Sequence, residues 1–146
     1  MAITDGILSK SDEQEIVAAI TEAELNTSGE IRVHIESGYD KPVLERAKEV
    51  FELLKMDQTA SKNGVLFYIA IKQKNFAIIG DEGIDKIVKH NFWDSIKDTM
   101  VKHFKMGEFK IGLIKGIIET GNKLHTHFPF ERNDTNELPN EISKGE

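Results

Sequence analysis

"VLFYIAIKQKNFAIIG", residues 65 to 80, decides the fold. Its first seven residues form an unbroken apolar run, which is the length of a strand and leaves no face for water. Such a strand needs cover above and below. The polar "KQKN" is a short turn, and "FAIIG" then returns as a second strand, so the stretch predicts an antiparallel hairpin.

Working outward, "EIRVHIES" (30 to 37) alternates. Ile31, Val33 and Ile35 share one face, and Glu30, Arg32, His34 and Glu36 share the other, the pattern of a half-buried strand whose polar face, His34 included, is expected to be wet. "GYDKP" turns the chain, with Asp40 as candidate helix cap and Pro42 in the first turn, where its missing N–H costs nothing. Val43, Ala47, Val50 and Leu54 then repeat at helical spacing to about Lys55. Strand, helix and strand in that order form a right-handed crossover, so the strand at 30–37 should run parallel to that at 65–71.

Before this unit, Ser11 and Gln14 have capping-box spacing, and Ile16, Ile20 and Ala23 mark a helix over roughly 11 to 26. After it, Ile84 to Phe92 and Trp93 to Phe104 read as two helical segments broken near His90 and Asn91, with Phe92 and Trp93 assigned to the core rather than to a partner groove. A last helix spans 108 to 124, with Ile111, Ile114, Ile117 and Ile118 as its apolar face and Gly112 and Gly116 marking close packing. The fold class is α/β, a three-layer αβα sandwich around a short mixed sheet of about four strands.

The chain has 146 residues, one domain's worth, with 39% hydrophobic and 30% charged residues. A net charge of −6 argues against a nucleic-acid surface, so cations, neutral molecules or a protein are the expected partners. With no cysteine, disulfides and thiolate metal sites are excluded. "MAITDGILSKSDEQ" has no secretory pattern and no stretch reaches the roughly 20 apolar residues of a membrane span, so a cytoplasmic monomer without membrane insertion is expected. From 130 to 146 the pattern fails. "ERNDTNELPNEISKGE" is either a flexible, solubilising extension to the domain at 1–129 or an arm anchored by Leu138 and Ile142.

The topology carries "GDEGID" (80 to 85), at the end of the hairpin, toward "MDQTASKNG" (56 to 64), before its first strand, with Asn26 to Glu30 close by. Asp81, Glu82 and Asp85 thereby approach Asp57. Clustered carboxylates raise one another's pKa unless neutralised, and Lys55 and Lys62 are candidate counter-charges. Asp81 or Glu82 could be a simple cap for the helix after Gly83. Alternatively the loops hold a hard divalent cation, since Ca²⁺ takes six to eight oxygens from carboxylates, amides and backbone. Zn²⁺ would want histidines, and His125 and His127 in "LHTHFP" complement a helix C-terminus instead.

"TSGEIRVHIE", "KNGVLFYIAIKQKNFAIIGDEGI", "FW" followed by "MVKHFKMGEFKIGLIKGI", and the closing "HFP" resemble the TPM domain family over roughly residues 3 to 129. That resemblance implies an αβα sandwich, metal binding, and for some plant members acid phosphatase activity. It places the family's acidic edge on Asp81, and on Asp57 with Asn63; Glu82 and Glu30 join them by the topology alone. The expected function is that of a stand-alone TPM domain binding a divalent metal, Ca²⁺ ahead of Mg²⁺ and with no organic cofactor. The ion orders loops at one sheet edge as a metal-responsive interaction module. The alternative is a metal-dependent acid phosphatase, for which no nucleophile or phosphate cradle is visible.

Overall fold

The structure is a computed structural model and describes residues 8–38, 40–130 and 138–145. In chain order the elements are α1 (Lys10–Glu24), β1 (Glu30–Glu36), α2 (Val43–Leu53), a 3₁₀ turn (Met56–Gln58), β2 (Gly64–Ala70), β3 (Asn75–Gly80), α3 (Glu82–Asp85), α4 (Asp94–Lys105), α5 (Phe109–Leu124) and β4 (Ser143–Lys144). The apolar run became β2, whose seven residues Gly64–Ala70 are all buried, and Ile71 at the end of the run is half-buried beyond the strand. β1 lies parallel to β2 in the register Glu30↔Gly64 to Glu36↔Ala70, as the crossover requires. β3 is antiparallel to β2, with Val65 opposite Gly80. The sheet order is β3-β2-β1-β4, a mixed four-stranded sheet.

Helices cover both faces. Ile31, Val33, Ile35, Val65, Phe67 and Ile69 meet Ile16 and Ile20 of α1, Ile96 and Met100 of α4, and Leu113 and Ile117 of α5. Ile31, Val33 and Ile35 have no exposed surface, so each stabilises the fold by about 1.5–3 kcal/mol through burial. On the opposite face Leu66, Tyr68, Ala70 and Ala77 pack under Ala47, Val50 and Phe51 of α2. Trp93 is buried and Phe92 half-buried against the first core, as assigned. Among the described residues no helix is long and apolar enough to cross a membrane.

Several local expectations are corrected. The capping box of α1 is Ser9 with Asp12, not Ser11 with Gln14: Ser9 Oγ accepts from Asp12 N and Asp12 Oδ2 from Ser9 N, both at 3.0 Å. Ser9 has the extended backbone a cap needs, whereas Ser11 is already inside the helix. α2 starts without a side-chain cap; Pro42 itself stands at the cap position in an extended conformation, so Asp40 has no such role. α5 buries Leu113, Ile117, Thr120 and Leu124 beside its glycines, and Ile114 and Ile118 pack on the core as expected, whereas Ile111 is 38% exposed and Leu113 takes its place. The close packing at Gly116 is real, because a Cβ there would lie 2.7 Å from Met100 Sδ.

The polar face of β1 is the largest departure. It is not wet: Glu30, His34 and Glu36 are all buried. The chain end covers it. Leu138 is buried, Ile142 packs on the core, and β4 pairs with β1 at His34↔Ser143, so residues 138–145 lie as an arm along the sheet. The expectation for 131–137 lies outside the described residues.

Candidate functional site

Three strand ends meet at one edge. Glu30 opens β1 opposite Gly64, which opens β2, and Asp81 N donates to Gly64 O at 2.9 Å just beyond the end of β3. The neighbouring loops close on this row. Gly83 N donates to Lys62 O at 2.9 Å, and a Cβ on Gly83 would sit 2.4 Å from that same oxygen, so only glycine allows the approach. Lys62 bends its loop inward through a left-handed backbone, φ 52°. Glu30 N donates to Asn63 O at 3.2 Å, and Asn63 Nδ2 to Ser28 Oγ at 3.4 Å. The segments expected to face one another therefore do so.

The side chains are less uniform. Asp81, 8% exposed, uses one carboxylate oxygen as a cap, Oδ1 accepting from Glu82 N at 2.7 Å. Its other oxygen, Oδ2, is buried with no hydrogen-bond partner among the described residues, and the same is true of Thr59 Oγ1 on the facing loop. Asn63 is buried, Asp57 half-buried and Glu82 exposed. Glu30 Oε1 accepts from Leu138 N at 2.7 Å, so the arm already uses this carboxylate. Among the described residues, no three His, Asp or Glu side chains converge as a ready-made metal cluster. Lys62 Nζ bonds the backbone oxygen of Asp57 rather than a carboxylate. Burial pushes Asp85 above the usual carboxylate range, Asp81 adds to this, and Lys48 of α2, which the sequence did not suggest, opposes it.

A second polar cluster lies on the same sheet face toward the other end of β1. Glu36, 2% exposed, receives Arg46 Nε at 3.0 Å and Arg46 Nη2 at 3.2 Å, with Tyr68 O–H on Oε2 and His34 Nε2 at 2.9 Å from Oε1. Burial pushes the Glu36 carboxyl up, but the bonds from Arg46, Tyr68 and His34 outweigh it and hold it below the usual range. Burial lowers the His34 pKa, so the ring is neutral: Nε2–H donates to Glu36, and Nδ1 accepts from the Ser143 hydroxyl at 2.9 Å. His34 also stacks on Tyr68, ring centroids 6.0 Å apart. His34 is thus a buried latch and not the exposed residue expected.

Ser143, His34 and Glu36 have the connectivity of a hydrolase relay. Here the relay is sealed, because Glu36 is shared with Arg46 and Tyr68, and Gly145 packs so closely that a Cβ would lie 2.6 Å from Glu36 Oε1. The signal for this cluster was present in the sequence. Tyr68 brings a hydroxyl into an apolar strand and therefore demands a buried partner, and His34 and Glu36 share a face of β1.

These features define a small αβα domain with a carboxylate-bearing sheet edge. Residues 3–123 match the family described as the TPM domain, and the chain belongs to that family. It is similar to the BA42 protein of the psychrophilic bacterium Bizionia argentinensis, with 48% identity, 97% of each chain covered and a TM-score of 0.92. The N-terminal domain of a P. gingivalis protein shares the fold at 19% identity and a TM-score of 0.68, over 88% of this chain and 83% of that one. So does the N-terminal domain of the cg2496 protein of Corynebacterium glutamicum, at 14% identity and 0.62, over 97% and 82%. No curated protein matches the chain.

Proposed function

We propose that this TPM domain binds a divalent cation, Ca²⁺ in preference to Mg²⁺, between the 57–63 and 80–85 segments, and that the ion orders both. The observation that carries this reading is Asp81 Oδ2, a buried carboxylate oxygen without a partner among the described residues. A buried charge left unpaired is costly, and a hard cation would compensate it. The donor chemistry fits. Thr59 Oγ1 is a second buried oxygen without a partner, and the facing loop turns backbone carbonyls toward Gly83. Ca²⁺ accepts such mixed sets in flexible geometry, whereas Mg²⁺ demands a near-ideal octahedron.

Asp81 leads the set we assign, with Asp57 and Asn63 from the first loop and Glu82 and Glu30 beside it. Glu30 Oε1 already accepts the Leu138 N–H, so a cation taking this carboxylate would compete with the arm at one residue. Loop order set by occupancy is then a means of presenting or withdrawing a partner surface. The phosphatase reading rests on family resemblance, and no side chain at this edge favours it.

The test is calorimetric titration of chelator-treated protein with Ca²⁺, Mg²⁺ and Zn²⁺, repeated on Asp81→Asn. Asn caps a helix about as well as Asp, so the metal-free variant should be nearly as stable as the original. Ca²⁺ binding should weaken, and the Ca²⁺-induced hydrogen-exchange protection at 57–63 and 80–85 should fade. If Ca²⁺ leaves both proteins unchanged, the cation reading is wrong.

A further inference from the structure

The opposite end of β2 lies about 20 Å from the acidic edge, six strand residues away. Two turns meet there. The hairpin "IKQKNF" (71 to 76) turns through Lys74 in a left-handed backbone, φ 50°, and "FKMGEF" (104 to 109) joins α4 to α5 through Gly107 at φ 75°. Both turns project aromatics inward. Phe76 meets Phe104 edge to face at 5.4 Å, and Phe104 stacks on Phe109 at 5.0 Å.

Between them is a cavity of about 430 Å³, walled by Ile71, Phe76, Phe104 and Phe109 and lined also by Lys74 and Lys105. This volume falls within the range of small-molecule sites, and so does the composition, an apolar wall with a few polar groups. Both lysines are exposed, and among the described residues neither has a carboxylate partner. The acids near this corner are committed elsewhere: Glu108 pairs with His103 at 2.9 Å, and Glu15 with Lys110 at 2.9 Å.

We propose that this cavity binds an amphipathic carboxylate, an alkyl or aryl acid whose apolar body packs on the three phenylalanines and whose charged end is held by Lys74 and Lys105. An apolar ligand without charge would leave both cations unused, and a cation would be repelled by them. A hydrophilic anion would forgo the aromatic wall. Only a ligand carrying both features uses the whole cavity.

The probe is octanoate, with octanol and octylamine as matched controls, followed by amide chemical shifts of the full chain in chelator. Octanoate should shift residues 69–76 and 101–109 selectively, roughly tenfold more tightly than octanol, with octylamine weaker still. The exposed double variant Lys74→Glu/Lys105→Glu should reduce octanoate binding by roughly tenfold or more while its remaining amide spectrum stays native. Asp81→Asn should bind octanoate unchanged, which separates this site from the cation edge. Equal affinity for octanoate and octanol, shifts spread over the whole chain, or an unaffected double variant would each overturn the proposal.

Discussion

Glu24 is placed to make the stability of this domain depend on pH near neutrality. It ends α1, and its Oε2 accepts from Ile31 N at 3.0 Å. Burial is the main cause that pushes its carboxyl up from 4.5 to about 7; the Glu30 carboxylate adds to this, and the bonds from Ile31 and Asn140 only partly offset it. A group whose folded pKa is raised favours the folded state while protonated. Its contribution is fully present below the unfolded pKa and is lost as pH rises through about 7. Between pH 5 and pH 8 that displacement corresponds to about 2.5 kcal/mol, and since Glu24 is only half-buried, solvent screening brings it to about 1–2 kcal/mol. Glu24→Gln keeps an oxygen for Ile31 N–H and removes the charge. Urea unfolding in metal-free buffer should show the variant losing about 1–2 kcal/mol less than the original between those pH values. An identical loss in both proteins would refute the assignment of the raised carboxyl to Glu24.

The Glu36 cluster makes a second prediction. Tyr68→Phe removes one hydrogen bond to a buried carboxylate while keeping the ring on His34, so unfolding free energy should fall by about 1.5–3 kcal/mol; a loss below about 0.5 kcal/mol would mean that the hydroxyl is dispensable. A third concerns catalysis. The purified domain should hydrolyse an aryl phosphate no faster than buffer, with or without Ca²⁺; turnover that survives purification and disappears in Asp81→Asn would restore the phosphatase reading.

The fold was legible because its signals are local and redundant. A run of seven apolar residues can be buried only between two layers, "KQKN" can only turn, and a strand–helix–strand crossover sets β1 parallel to β2, with β3 returning antiparallel. The cap of α1 was misplaced by two residues because Ser9 and Ser11 both satisfy the serine preference and only backbone conformation separates them. The site was half legible for a different reason. Register brings Glu30, Gly64 and Asp81 to one edge, and that follows from strand order. Which carboxylate oxygen lacks a partner depends on whether the arm reaches Glu30 and on where Lys62 Nζ goes, and neither has a periodic signature.

The arm also explains why β1 misled. Strict alternation normally means one wet face, yet here the polar residues are buried because the arm and α2 together supply their hydrogen bonds. Ser143 serves His34, Arg46 serves Glu36, and Leu138 N serves Glu30. Lys144, from the same arm, pairs with Glu13 of α1 at 2.8 Å. The cover is therefore held by specific polar contacts together with Leu138 and Ile142, since β4 has only two residues. Such contacts exchange more readily with water or an ion than a packed apolar face does. A cation taking Glu30 would compete with one of these contacts and leave the His34 latch untouched. Ion binding should thus loosen the arm at its Leu138 end before its Ser143 end, which connects the acidic edge to the chain terminus through a single carboxylate.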